Sequence, residues 1–172
     1  MNKTMRTMVI ALVAMFTLAA NAQVVTKDSL SVLKPGSVIG FVCDFSEAVI
    51  MGMDEEAFGK YERDWQADKP TVVANLMNGL NTKLDGVLVF AQLKDLDYTL
   101  KISVKSVSTM GNIYCDAVIV DKKGNKIFEV TKVNGGKEPR FSPGTKLAKM
   151  KVWAGLTGRS LGGIIRAEYL NQ

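Results

Sequence analysis

The sequence predicts an α+β fold, in which a mostly antiparallel sheet of about five strands carries two central helices and a Gly-rich C-terminal helix on one face. Three observations predict it. Tyr98, Leu100, Ile102 and Val104 alternate with Thr99, Lys101, Ser103 and Lys105, the period of a strand with one apolar and one wet face. Phe58, Tyr61 and Trp65, then Val73, Leu76, Met77, Leu80 and Leu84, recur at helical spacing. Near the C-terminus Leu147, Met150, Ala154, Gly158, Leu161 and Ile165 do the same.

Residues 1–22 read as a cleaved signal peptide. Lys3 and Arg6 form a positive n-region, Met8 to Ala19 is apolar, and Ala20-Asn21-Ala22 is a small-x-small cleavage pattern ahead of Gln23. The apolar run is short of the ~20 residues that span a bilayer, so no transmembrane anchor is expected after cleavage. Gln23 stands where a lipid-anchored protein would need cysteine. The expected location is the periplasm, with secretion as the alternative. Residues 23–35 read as a flexible leader and 36–172 as a single α+β domain, large enough for a real core.

The 172-residue chain carries a net charge of +5, and removing Lys3 and Arg6 leaves 20 basic against 17 acidic residues. The excess lies at the C-terminal end, where Lys137, Arg140, Lys146, Lys149, Lys151, Arg159 and Arg166 face only Glu138 and Glu168. Lys146, Lys149 and Lys151 with Trp153 beside them, and Arg140 and Phe141 in the preceding loop, form a candidate surface for an anionic envelope component or an acidic protein. A solvated helix face is the other reading. Export argues against nucleic acid.

In chain order, Pro35-Gly36 makes a turn, and Ser37 to Phe45 has the composition of a buried strand. Ala48 to Met53 continues that strand or pairs with it after a break at Ser46-Glu47. Asp54 caps a helix beginning at Glu55, with Glu55 and Glu56 at its positive end. Phe58, Tyr61 and Trp65 pack on the sheet or offer an aromatic platform to a sugar or peptide. A second helix begins at Pro70 and ends at Asp85-Gly86. Val87 to Gln92 is a short strand, and Lys94 to Asp97 turns into a meander running from Asp97 to Val133. Val107 breaks its parity, which places a bulge near Lys105-Ser106. Asp121 to Asn125 is a tight hairpin with Gly124 at positive φ, and Asn134 to Gly144 is a loop. Ala154, Gly158 and Gly162 form a smooth groove that admits another backbone, from the sheet or from a partner; a break into two helices near Gly155 to Gly158 competes.

Cys43 and Cys115, the only cysteines, are candidates for a disulfide in an exported chain or for two buried small side chains. Catalytic patterns fail on their partners. Gly158 to Gly162 matches G-x-S-x-G around Ser160, but the surroundings are helical and the chain has no histidine. Ser31 to Lys34 matches S-x-x-K without its companion motifs. Two distant cysteines make no ordinary zinc site, and the aspartates lack calcium-loop spacing. No enzymatic activity, metal or cofactor is expected.

The order strand, helix pair, strand, Asp97-Tyr98-Thr99-Leu100 opening a meander, the Asp121–Lys126 hairpin and a Gly-rich terminal helix resembles a group of small envelope domains. They include uncharacterised secreted proteins of Gram-negative bacteria. More remotely, they include the domain of penicillin-binding-protein activator lipoproteins and the N-terminal domain of the Tol-Pal propeller protein. The resemblance covers roughly 36–169 and implies action by binding, with no catalytic residue to carry over. The chain departs from the lipoproteins by lacking their anchoring cysteine. The expected function is a non-enzymatic periplasmic adaptor or assembly protein, docking an envelope partner on a sheet edge or the basic terminal helix. The alternative is a small-ligand or glycan-binding module using the aromatic stripe and the 134–144 loop.

Overall fold

The structure, a computed structural model, describes residues 23–26, 30–138 and 144–171; the signal-peptide reading of 1–22 lies outside them. Seven strands form one sheet: β1 (Gln23–Thr26), β2 (Val38–Asp44), β3 (Val49–Ile50), β4 (Val89–Ala91), β5 (Tyr98–Val107), β6 (Ile113–Asp121) and β7 (Lys126–Val133). The helices are α1 (Glu55–Tyr61), α2 (Trp65–Leu84) and α3 (Lys146–Leu170). The strand order is β1-β7-β6-β5-β2-β4, with β3 beside the far end of β5. The long ladders, β7 on β6 and β6 on β5, are antiparallel, as the meander pattern requires. Alongside them β2 runs parallel to both β5 and β4. The fold is thus α+β with its helices on one sheet face, as the sequence predicts.

Apolar residues at alternate positions build the inner face of that sheet. Ile39 and Phe41 of β2, Leu100, Ile102 and Val104 of β5, Ile113, Cys115, Ala117 and Ile119 of β6, and Phe128 and Val130 of β7 all enter one core with the helices. The expected bulge is present: the β5–β6 register shifts between Val104 and Ser106. The expected hairpin is held by Asp121, whose carboxylate accepts from the amides of Lys123 and Asn125 and from the Asn125 carboxamide, with Gly124 at φ +85.

Residues 23–35 are not a flexible leader throughout. Gln23–Thr26 pairs with β7 and gives that strand's outer edge a backbone partner. Leu30 and Leu33 are then buried around a single 3-10 turn, and the Tyr169 hydroxyl donates to the Leu33 carbonyl at 3.0 Å. The fragment at Val49 continues the line of β2 along β5 after the break at Ser46-Glu47.

The second helix begins at Trp65, not at Pro70, which lies inside α2. The Trp65 ring sits edge-on to Phe45 and Phe58, and Glu55 accepts from its indole nitrogen at 3.0 Å and from Lys69 at 2.6 Å. These contacts fix the turn ahead of the proline and outweigh the backbone hydrogen bond it removes.

The connection from β4 to β5 explains a parallel pair joined by only six residues. Gly40 lies opposite both Ala91 of β4 and Thr99 of β5, so the chain crosses over β2 at Gly40 and continues in the same direction on the other side. A Cβ on Gly40 would meet the Thr99 hydroxyl at 3.0 Å and the carbonyls of Leu93 and Tyr98 at 3.3 and 3.4 Å.

The glycine groove of α3 is filled by α2 rather than by the sheet or a partner. A Cβ on Gly158 would overlap the Leu76 carbonyl, one on Gly79 would overlap the Gly155 carbonyl, and one on Gly162 would lie 2.7 Å from the Leu80 carbonyl. Close backbone approach compensates the weak helix propensity of these glycines, and α3 runs unbroken from Lys146 to Leu170.

Candidate functional site

Helices cover the inner face of the sheet; the outer face divides into two regions of different chemistry. Over β5, β6 and β7 it is polar, with Lys101, Ser103, Lys105, Asp116 and Glu129 lining a shallow depression of about 180 Å³. Over β2, β3 and β4 it is apolar. Val38 and Val89 face each other across the parallel pair, Val42 lies beside Lys101, and Val49 beside Ser106. Their exposures are 45%, 37%, 52% and 52%, and Leu93 in the crossover is 58% exposed; the crossover itself passes over Gly40 between Val38 and Val42, and among the described residues no helix covers the valines on either side of it.

The polar region contains one built hollow. Both neighbours of β6 bulge at the level of Cys115: β5 at Lys105, and β7 between Val130 and Val133. Lys132 holds a left-handed φ of +60, unusual for a residue with a side chain, and its amide donates to Asp116 Oδ1 at 2.9 Å. The hollow between the bulges, about 400 Å³, is lined by Lys105, Tyr114, Cys115, Asp116, Thr131 and Lys132. Burial and then the neighbouring Glu138 carboxylate push the Tyr114 phenol above its ordinary range. Among the described residues Glu138 Oε1 is buried without a hydrogen-bond partner.

The β4 edge of the sheet is closed. Within β4 the backbone groups of Phe90 point away from β2, and the Asn81 carboxamide takes both: its nitrogen donates to the Phe90 carbonyl and its oxygen accepts from the Phe90 amide, each at 2.8 Å. No outward backbone group of β4 remains for a docking strand, which removes this edge from the sites at which a partner strand could add.

The basic C-terminal surface is largely engaged within the chain. Lys151 pairs with Asp68 at 2.8 Å, and Lys146 lies 3.9 Å from the centre of the Tyr61 ring, with Glu62 at 4.0 Å. Lys149 is half-buried, its Cβ against Gly111. Trp153 is buried beside Gly135 rather than presented to solvent. Arg140 and Phe141 lie outside the described residues. The described start of the 134–144 loop is pinned: buried Asn112 accepts from the Gly135 amide at 2.9 Å and donates to the Gly136 carbonyl at 3.0 Å.

The aromatic stripe is split. Phe58 and Trp65 are fully buried, while Tyr61 is exposed beneath Lys146, so the three rings form no platform. The Cys43–Cys115 disulfide is absent and both thiols are free. Cys43 faces Ile102 and Cys115 faces Val104, so β5 runs between them. Two strand spacings, about 9–10 Å, exceed the ~7 Å Cα separation a disulfide allows. Burial pushes the Cys43 thiol up to about 12 and the Cys115 thiol up as well. Ser160 sits in the middle of α3, with no strand-to-helix elbow around it.

Sequence reasoning missed the exposed strip, yet its signal was present. Val38, Ile39, Phe41 and Val42 make β2 apolar on both faces, the pattern of a parallel strand covered on both sides. Helices cover only one side; on the other the crossover covers Gly40 and leaves Val38 and Val42 exposed. No helix among the described residues is long and apolar enough to cross a membrane.

No family model matches the chain, and no curated protein matches it. Among solved structures it is similar to the PelC dodecamer from Paraburkholderia phytofirmans, at 9% identity and TM-score 0.42, over 82% of this chain and 98% of that one. It is also similar to a single-substitution variant of that PelC dodecamer, at 12% identity and TM-score 0.41, over 82% of this chain and 97% of that one. An uncharacterised protein is similar at 12% identity and TM-score 0.41, over 78% of this chain and 93% of that one. At these values the likeness carries neither function nor assembly to this chain.

Proposed function

We propose that this chain is an exported, non-enzymatic binding protein of the cell envelope, an adaptor or assembly factor that holds a protein partner on the outer face of its sheet. The observation that carries the reading is the strip of Val38, Val42, Val49, Val89 and Leu93, exposed over parallel strands of a kind ordinarily covered on both faces. The signal-peptide pattern before Gln23 supports export. The docking surface moves to this face from the basic terminal helix, where Lys146 packs on Tyr61 and Lys151 pairs with Asp68. A photocrosslinking residue at Val42 is expected to capture a defined protein in intact cells, and one at Lys123 on the exposed hairpin is not. Equal, diffuse labelling from both positions would overturn the reading.

A second reading has one observation in its favour. The hollow between the two bulges sets an aromatic ring between two lysines and a carboxylate, a mixture suited to a small polar ligand. It replaces the stripe of Phe58, Tyr61 and Trp65 as the site for the ligand-binding alternative, and loss of ligand binding in Tyr114→Ala tests it.

A further inference from the structure

We infer that a second copy of this chain docks on the exposed valines of β2, β3 and β4 that flank the crossover at Gly40. This names the partner for the binding reading above and rests on it.

Three features select that occupant. First, β2 has parallel neighbours on both sides and apolar residues on both faces, while helices cover only one face. Second, the adjacent edge is closed by Asn81, so an incoming chain meets the face and cannot extend the sheet beyond β4.

Third, the polar groups around the strip carry both signs. Lys101 stands beside Val42, Lys105 follows on the same strand, and Asp44 and Glu47 lie on the β2 side. The ion pair between Lys105 and Glu47 is long at 3.7 Å and exposed. Asp44 is held by the Ser46 amide and hydroxyl, both at 2.9 Å, which fixes the carboxylate in place as an anion. A two-fold axis through the strip sets the carboxylate side of one copy against the ammonium side of the other while the valines meet at the centre. An acidic segment or an anionic lipid surface would match the lysines and be repelled by Asp44 and Glu47.

Sedimentation equilibrium of the full chain, as the cell processes it, tests this from about 1 to 100 µM. The expected result is a reversible dimer. Val42→Lys, at a half-exposed position, is expected to raise its dissociation constant roughly tenfold or more without changing the melting temperature. Lys132→Glu, on the polar region of the same face, leaves it unchanged. Lys101→Glu and Asp44→Lys each weaken the homodimer, and mixing the two variants restores association. A monomer at every concentration, or a dimer that Val42→Lys leaves intact, overturns the proposal. If the chain is monomeric while the crosslinker at Val42 captures a different protein in cells, the second copy is wrong and the binding reading stands. Monomer together with no capture overturns both.

Discussion

Asn81 and Phe90 form a closed pair of hydrogen bonds, side-chain amide to backbone, that does for β4 what a further strand would do. Asn81 comes from the last turns of α2, so one residue ties the helix layer to the sheet edge and satisfies that edge. Asn81→Ala leaves the amide and carbonyl of Phe90 without partners, and the expected cost is about 1–3 kcal/mol. Urea denaturation monitored by fluorescence checks it; an unchanged midpoint would mean that water serves the edge equally well.

The glycines of α3 fall into two groups with opposite expected effects. A Cβ on Gly158 would overlap the backbone of α2, so Gly158→Ala is expected to destabilise by several kcal/mol, on the order of an overpacked core site. Near Gly163 a Cβ meets only the Lys83 side chain, at 3.5 Å, and near Gly155 only the Asn75 carbonyl, at 3.8 Å. Gly155→Ala and Gly163→Ala are therefore expected to stabilise by up to about 1 kcal/mol through helix propensity. Thermal denaturation of the three variants separates the groups.

Both cysteines are expected to stay reduced and slow to react. With the Cys43 thiol pushed up to about 12, and Cys115 buried more completely, little thiolate exists near neutral pH. Iodoacetamide at about pH 8 is expected to label neither in the folded chain and both after denaturation without reductant. A denatured chain that takes up label only after reduction would restore the disulfide.

The meander was the most legible part of the fold. Its alternation, the bulge at Lys105-Ser106 and the Gly124 turn are local properties of one stretch of chain. What the sequence hid depends on distant partners. Four residues of β1 are too few to show a period, and their strand character comes from the open edge of β7. The parallel placement of β2 between β4 and β5 follows from the crossover at Gly40, which nothing nearby in sequence announces. At the site, Phe58, Tyr61 and Trp65 looked like one helical stripe because spacing alone does not reveal the break between α1 and α2. The apolar outer positions of β2 read simply as burial, since a sequence does not say how many faces its own helices will cover.

Acid is expected to weaken the fold through two turn carboxylates. Asp44 is held below its ordinary value of 3.8 chiefly by the Ser46 amide, and Asp121 below the same value chiefly by the Asn125 carboxamide. A carboxylate with a depressed folded-state pKa contributes stability that is complete above its unfolded value. That contribution is lost as pH falls through the folded one. Both groups are exposed, so the effect is small. Melting temperature followed from about pH 5 to pH 2 should fall, and the slope should be shallower in Asp121→Ala. Equal slopes would remove the hairpin carboxylate as a contributor.

The most direct test of the binding role asks whether the strip is covered when the protein is in its own compartment. Val42→Cys introduces an accessible thiol on β2, since Val42 is 52% exposed, while Cys115 is buried and Cys43 is half-buried with its thiol pushed up to about 12; the unsubstituted chain gives the background labelling. The expected result is rapid maleimide labelling of the dilute purified variant and protection of the same thiol in intact cells. Equal labelling in the two settings would contradict the assignment of this face as the protein's working surface.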